Sequence, residues 1–206
     1  MQYCLVTLAR TPASRILLKA GHVYERFTLA SGKKVTLRVL QWEDLDSLLF
    51  FINSLVEEKL GEPKSTLYTG FDRKVTREEE AEWLAQTLVA IEGGNVINMV
   101  AEIAGKIIAN GEVAQGRYKD TRRHGQIGLT MIGEHRGQGV GRRMIDLLVR
   151  ESRGAGLRSL EVEFLADNVI ARRAYEKAGF KEAGIIASKV FRHGKYFDGL
   201  IMAREL

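Results

Sequence analysis

The sequence predicts a mixed α/β (α+β) domain: a central, mostly antiparallel sheet of about seven strands, with about four helices packed on it. Three observations carry this. Two pairs of apolar runs, Val96–Ala104 with Lys106–Ala114 and Ala183–Phe191 with Tyr196–Arg204, are each joined at a glycine-bearing turn, the pattern of antiparallel hairpins. A strand, a glycine-rich turn, a helix and a further strand follow one another between His124 and Leu165, so those two strands form a parallel pair joined by a right-handed crossover. Amphipathic helical spacing recurs in three other places.

Taken in order, Met1–Ala30 is the least legible stretch. Gln2–Leu8 alternates like a strand, Val23–Leu29 suits it as a partner, and Pro12–Lys19 reads as a short helix closed by Gly21. Residues 1–30 are therefore expected to form an extension, a strand pair covering a sheet edge or a partner surface, with residues 31–206 as the main domain. After the turn Ser31–Lys34, Val35–Leu40 is a strand with Val35, Leu37 and Val39 on one face. Trp42–Leu60 is a helix with Leu45, Leu48, Leu49, Ile52, Leu55 and Val56 on one side; Gly61 ends it and Pro63 prevents resumption. Thr76 and Glu79 form a capping box that opens a helix reaching about Ile91. The Val96–Ala114 hairpin follows, then the charged loop Arg117–Arg123 and the strand Gln126–Ile132, in which Ile127, Leu129 and Met131 alternate with smaller or polar neighbours. The helix Gln138–Arg153 carries Val140, Met144, Leu147 and Leu148 at helical spacing. Arg158–Leu165 is the next strand, Asn168–Ala178 a helix closed by Gly179, and the final hairpin completes the chain.

Composition narrows the function. The 206-residue chain is long enough for one sizeable core, and 45% hydrophobic content is ordinary for a globular protein. The single cysteine, Cys4, excludes an internal disulfide and a cysteine-rich zinc site, and fits a reducing, cytoplasmic setting. No metal is expected. A net charge of +5 suits an anionic ligand. No apolar run approaches the ~20 residues of a membrane span, so no membrane partner is expected. The N-terminus lacks the pattern of a signal peptide.

The chemistry concentrates at Arg136-Gly137-Gln138-Gly139-Val140-Gly141, between strand and helix. Glycines just before a helix let its free N–H groups approach an anion with no Cβ in the way, and the helix dipole favours negative charge there. Arg136, Arg142 and Arg143 add positive charge. The spacing is neither that of a P-loop, which continues Gly-Lys-Ser/Thr, nor that of a dinucleotide fold. The stretch reads as a pyrophosphate cradle. Beyond the cradle the two parallel strands should splay, since each twists and no ladder bond closes them.

Arg136-x-x-Gly139-x-Gly141 and the later Asn168-x-x-Ala171-x-x-x-Tyr175-x-Lys177-x-Gly179-Phe180 together resemble the GNAT superfamily of N-acetyltransferases, and within it are similar to ribosomal-protein alanine N-acetyltransferases. The resemblance runs from about Thr36 to the C-terminus; one departure is Gly133-Glu134, where many members have proline. It implies the GNAT fold, its sheet splayed between the fourth and fifth core strands, with acetyl-CoA as cosubstrate. It implies that Leu129, Thr130 and Met131 offer backbone groups to the pantetheine arm. The amides of Gly137, Gln138, Gly139, Val140, Gly141 and Arg142 would then take the pyrophosphate, Asn168 would contact CoA or cap its helix, and Tyr175 would protonate the leaving thiolate. Glu163, which shares a strand face with Glu161, matches a position that carries a glutamate proposed as base acting through water; Glu102 and Glu112 are alternatives, and His135 and His193 fall in turns. If the family map holds, Arg73, Lys74, Arg192 and Lys195 border the acceptor.

The expected activity is transfer of an acetyl group to a primary amine by direct attack in a ternary complex, the acceptor being a peptide or protein N-terminus or a small amine. A non-catalytic acyl-CoA sensor on the same fold is the alternative. Nucleic-acid binding is disfavoured, because the arginines of 117–153 lack interleaved aromatics. A homodimer is left open.

Overall fold

A computed structural model of the chain describes residues 19–62, 64–68 and 70–206. The strand Gln2–Leu8 and the helix Pro12–Lys19 expected from the sequence lie, all but Lys19, outside the described residues. Among those described, the strands are β1 (Val23–Thr28), β2 (Lys34–Arg38), β3 (Val96–Ile103), β4 (Lys106–Gln115), β5 (His124–Met131), β6 (Ser159–Leu165), β7 (Lys181–Arg192) and β8 (Lys195–Glu205). The helices are α1 (Leu45–Gly61), α2 (Arg77–Glu92), α3 (Val140–Gly154) and α4 (Val169–Lys177).

The strands form one sheet in the order β1-β2-β3-β4-β5-β6-β8-β7. Every neighbouring pair is antiparallel except β5 with β6. This is the GNAT fold expected from the sequence, with eight strands instead of about seven. The additional one is β1, which pairs with β2, Phe27 opposite Val35 and Thr28 opposite Lys34. The turn at Gly32, where φ is +80°, makes this local hairpin available.

Alternation assigns the two faces. Gly141, in the first turn of α3, lies against Leu129 and Met131, and a Cβ on Gly111 would touch Leu129 and Leu148, so α3 covers the odd-numbered side of β5. Phe164 stacks on Tyr175 of α4, 5.7 Å between centroids, which puts α4 on the same side. The opposite face carries Arg38, Asn110, Glu112, Thr130, Glu161 and Glu163, by the register of the ladders. There α1 is anchored: Asp44, just before it, accepts two bonds from the Arg38 guanidinium at 2.7 and 2.6 Å, and Glu102 accepts a third. The pair is buried, and its geometry fixes the entry of α1; removing one partner would leave the other charge buried and unpaired.

Local chemistry explains the helix starts. Thr76 caps α2, its hydroxyl accepting from the Glu79 N–H while the Glu79 carboxylate accepts from the Thr76 N–H. Asn168 caps α4, accepting from the Ala171 N–H at 3.0 Å. Gly139 caps α3 with φ +85° and offers no side-chain acceptor.

Candidate active site

The parallel ladder of β5 and β6 holds for three register pairs, His124 with Ser159, Gly125 with Leu160 and Gln126 with Glu161. Beyond Gln126 the strands part. Leu129, Thr130 and Met131 keep their pairing with β4, at Gly111, Asn110 and Ala109, and have no strand partner on the β6 side. β6 meanwhile stays paired with β8 up to Leu165. The gap therefore opens at the end of β5 that runs directly into the glycine-rich turn.

That turn leaves its amides bare. Gly137 and Gly139 hold φ of +75° and +85°, and a Cβ at either would meet nothing within 4 Å, so the space in front of them is open. Among the described residues no group accepts a hydrogen bond from the amides of Gly137, Gln138 or Gly139. The first-turn amides of Val140, Gly141 and Arg142 have no intrahelical partner and no side-chain cap. Six consecutive unpartnered N–H groups at a helix N-terminus suit an anion.

One cavity of about 490 Å³ joins the gap and the cradle. Leu129, Thr130, Met131, Arg136, Gly137, Gly139, Gly141, Arg142, Asn168 and Tyr175 line it; Gln138, Val140 and Glu163 do not. Thr66 and Leu67, from the α1–α2 connection, and Ile145, Ile170, Ala171, Arg173, Ala174 and Lys177, from α3 and α4, complete the wall. Sequence reading assigned none of these residues to the site, although Ala171 and Lys177 belong to the motif that carries the family resemblance. Arg173 and Lys177 stand four apart on α4, a spacing that placed them on one helix face.

The charges differ from expectation. Arg136 is engaged with Glu58 of α1 at 2.6 and 2.9 Å and with the Met131 carbonyl at 2.7 and 3.0 Å. It ties α1 to the end of β5, and occupies one backbone acceptor of the strand. Arg142 pairs with Asp146, and Arg143 pairs with Glu25 and lies over the Phe27 ring. Arg173 and Lys177 line the cavity with no carboxylate partner among the described residues.

Tyr175 is buried between Phe164 and Phe180 and reaches the cavity wall. Burial pushes its phenol well above the usual range, so it stays protonated at any working pH. Asn168 both caps α4 and lines the cavity.

Glu163 lies on the opposite face of the sheet, its Oε2 accepting from the Lys189 ammonium at 2.5 Å. Its Oε1 is buried and has no hydrogen-bond partner among the described residues. A buried acceptor with no protein partner costs about 1–3 kcal/mol unless water or a ligand group meets it. The alternatives are differently placed. Glu102 belongs to the Arg38 cluster. Glu112 sits opposite Gly128 on β4, and burial pushes its carboxyl up. His135 is buried against Glu134, and His193 is in the hairpin turn. Of the cations expected near an acceptor, Arg73 pairs with Glu79 and Lys74 with Glu57 on the exterior. Arg192 donates to the carbonyls of Ser65 and Leu67 and so holds the connection that forms one cavity wall. Lys195 opens β8 beside the hairpin turn and is exposed. Among the described residues no three His, Cys, Asp or Glu side chains group as metal ligands, and no helix is long and apolar enough to cross a membrane.

A parted parallel pair with an uncapped, glycine-lined helix start at its open end is the mark of one class of fold. The model of the Acetyltransferase (GNAT) family matches residues 53–180, and the chain belongs to that family. A Bacillus subtilis (strain 168) protein named "Putative phosphinothricin acetyltransferase YwnH" is 26% identical over 181 residues, 84% of this chain and 99% of that one. The crystal structure of ribosomal-protein-alanine N-acetyltransferase from Brucella melitensis superposes with a TM-score of 0.70 at 22% identity, over 82% of this chain and 99% of that one. The microcin C7 self-immunity acetyltransferase MccE, in complex with acetyl-CoA and AMP, superposes with a TM-score of 0.66 at 16% identity, covering 84% of this chain and 92% of that one.

Proposed function

We propose that the protein is an acetyl-CoA-dependent N-acetyltransferase acting on a primary amine by direct attack within a ternary complex. The observation that carries this reading is the coincidence of the β5/β6 gap with the bare cradle at one end of the same strand. A cradle alone would hold any anion. A cradle opening onto a strand with free backbone groups suits a pyrophosphate followed by an amide-bearing arm, which is the chemistry of CoA.

In this reading the amides of residues 137–142 hold the pyrophosphate, and Arg173 and Lys177 meet further phosphate charge. Leu129 and Thr130 pair with the pantetheine amides along the unpaired side of β5, while the Met131 carbonyl is held by Arg136. The acceptor nitrogen, neutral after losing a proton towards Glu163, directly or through water, bonds to the thioester carbonyl carbon. The C–S bond breaks as the tetrahedral oxyanion collapses, and the Tyr175 hydroxyl supplies a proton to the departing thiolate. The catalytic domain is taken as residues 31–206, with β1, from the 1–30 extension, adding an edge strand; the location proposed is cytoplasmic.

The names of the relatives suggest two acceptor types, a phosphinothricin-like amino acid and a peptide beginning with alanine. Thiol release from acetyl-CoA, measured across a panel of amines containing both, tests the reading. Acceptor-dependent thiol and an acetylated amine support it. Tight acetyl-CoA binding without acetyl transfer to any amine would instead favour the non-catalytic sensor.

A further inference from the structure

The residue just before the bare amides is gripped by a helix far away in the chain. After β5 the chain makes one 3-10 turn over Gly133–His135. The Arg136 side chain then reaches back five residues to the Met131 carbonyl, on which Nε and Nη2 converge at 3.0 and 2.7 Å. Ile132 donates to the Ile108 carbonyl of β4, so the backbone groups of Met131, one residue earlier, point to the other side of β5, that of the gap. The other end of the guanidinium meets Glu58 of α1, Nη1 on Oε1 at 2.6 Å and Nη2 on Oε2 at 2.9 Å. Four of the five N–H donors of Arg136 are therefore engaged at the point where strand, gap and cradle join.

Glu58 is itself firmly placed. Its helix is anchored at the start by Asp44 on Arg38, and along its length Asn53 bonds both backbone groups of Val75 while the Lys59 ammonium donates to the Phe71 carbonyl. Gly133 leaves room for the carboxylate: a Cβ there would stand 3.3 Å from Glu58 Oε2, tighter than ordinary van der Waals contact. The Gly133-Glu134 departure, where many GNAT members have proline, thus coincides with the approach of Glu58 to Arg136. The pair is only partly exposed, with side chains 32% and 20% accessible for Arg136 and Glu58.

Resting on the reading of residues 137–142 as the cradle for CoA, we propose that Glu58 and Arg136 are a positioning pair for acetyl-CoA: Arg136, locked by Glu58, fixes the bend between β5 and the cradle so that the bare amides and the gap address one ligand. Arg136 acts through its fork and not through its charge, which Glu58 already matches. Two opposing effects decide what loss of Glu58 does. Freeing Arg136 adds a solvent-screened cation near the phosphates, which tightens binding by about fivefold at most. Loosening the bend means that the ligand must order it, and ordering a single residue weakens binding by about tenfold. Several residues lie between Met131 and the first helical amide, so the ordering cost dominates.

The test titrates acetyl-CoA into the full chain by calorimetry at two ionic strengths, well below the Tm of every variant. The variants are Glu58→Ala, Arg136→Lys, Arg136→Met and the double variant Glu58→Ala with Arg136→Met. Glu57→Gln serves as control, since it removes only the exposed pair with Lys74 next to Glu58. Glu58→Ala, Arg136→Lys and Arg136→Met should each bind acetyl-CoA about tenfold more weakly, with the salt dependence of the parent. The double variant should be no weaker than Arg136→Met, because the two residues act as one unit. Glu57→Gln should bind as the parent does. Glu58→Ala binding as tightly as the parent or more tightly, with a steeper salt dependence, overturns the proposal and makes Arg136 a phosphate ligand that Glu58 restrains. Arg136→Lys keeping the parent affinity while Arg136→Met loses it overturns it as well, since charge and not the fork then counts. Losses that add in the double variant, or a loss in Glu57→Gln equal to that in Glu58→Ala, overturn it too. All of these leave the cradle reading standing. A parent protein that binds no acetyl-CoA removes the cradle reading and the proposal together.

Discussion

Replacing Gly139 by glutamate strikes the cradle where its two functions, bare amides and a favourable field, coincide. The structure permits the side chain: nothing lies within 4 Å of a Cβ built there, so the variant has no packing reason to unfold. It does hold φ at +85°, which costs an L-residue about 1–2 kcal/mol, a Tm loss of roughly 2–8 °C for a chain of this size. Gly139→Ala isolates that cost. The binding effect is larger. A carboxylate about 5 Å from each pyrophosphate charge, at an effective dielectric near 20, opposes it by about 3 kcal/mol per pair before screening. Halving this for salt and side-chain retreat still leaves about 3 kcal/mol in all, or roughly a hundredfold in Kd. Titration calorimetry with acetyl-CoA should show Gly139→Ala binding within a few-fold of the parent and Gly139→Glu at least a hundredfold weaker. Equal affinity in a folded Gly139→Glu protein would remove residues 137–142 from the site and refute the reasoning.

Other consequences are as direct. Tyr175→Phe keeps the ring between Phe164 and Phe180, so Tm should barely move; loss of the hydroxyl should lower kcat about 10- to 100-fold with acetyl-CoA affinity intact, and an unchanged kcat would make Tyr175 a packing residue. Arg173→Gln with Lys177→Gln should weaken acetyl-CoA binding and flatten its salt dependence, and calorimetry at two ionic strengths checks both. Glu80 is buried on the inner side of α2, and burial pushes its carboxyl up to about 7. Because the folded value lies above the unfolded one, the protein is most stable below about pH 4.5 with respect to this group and loses that contribution as pH rises through 7. Glu80→Gln should therefore match the parent in Tm near pH 5 and exceed it by about 1–3 kcal/mol of stability near pH 8; a difference independent of pH would contradict the burial argument.

The parts of this molecule that were legible are those governed by local period and backbone chemistry. The glycine turn and the cap of Thr76 each announced themselves within a few residues, and so did the apolar stripe of α3, where Val140, Met144, Leu147 and Leu148 are all buried. The parallel pair followed from the strand–helix–strand order. What stayed hidden depends on contacts far apart in the chain. Glu80 belongs to the run Arg77-Glu78-Glu79-Glu80, which reads as a solvated first turn, yet its position faces inward with Leu84, Thr87 and Ile91. Arg136 reads as a phosphate ligand, and Glu58, 78 residues away, meets it instead. Phe51 joins Leu45, Leu48, Leu55 and Val56 among the buried residues of α1, while Leu49 and Ile52 are only partly covered. The bulge at Ala187–Lys189 has no glycine or proline to signal it, and its counterpart, Gly199, lies on another strand.

The central claim is that bare amides at the start of α3 aim a CoA thioester into the gap between β5 and β6. A crystal structure of the protein grown with CoA tests it most directly. The account predicts pyrophosphate oxygens within about 3 Å of the amides of residues 137–142, with the pantetheine arm running between Leu129–Thr130 and β6. CoA bound elsewhere, or β5 and β6 closed along their full length with the arm excluded, would contradict it.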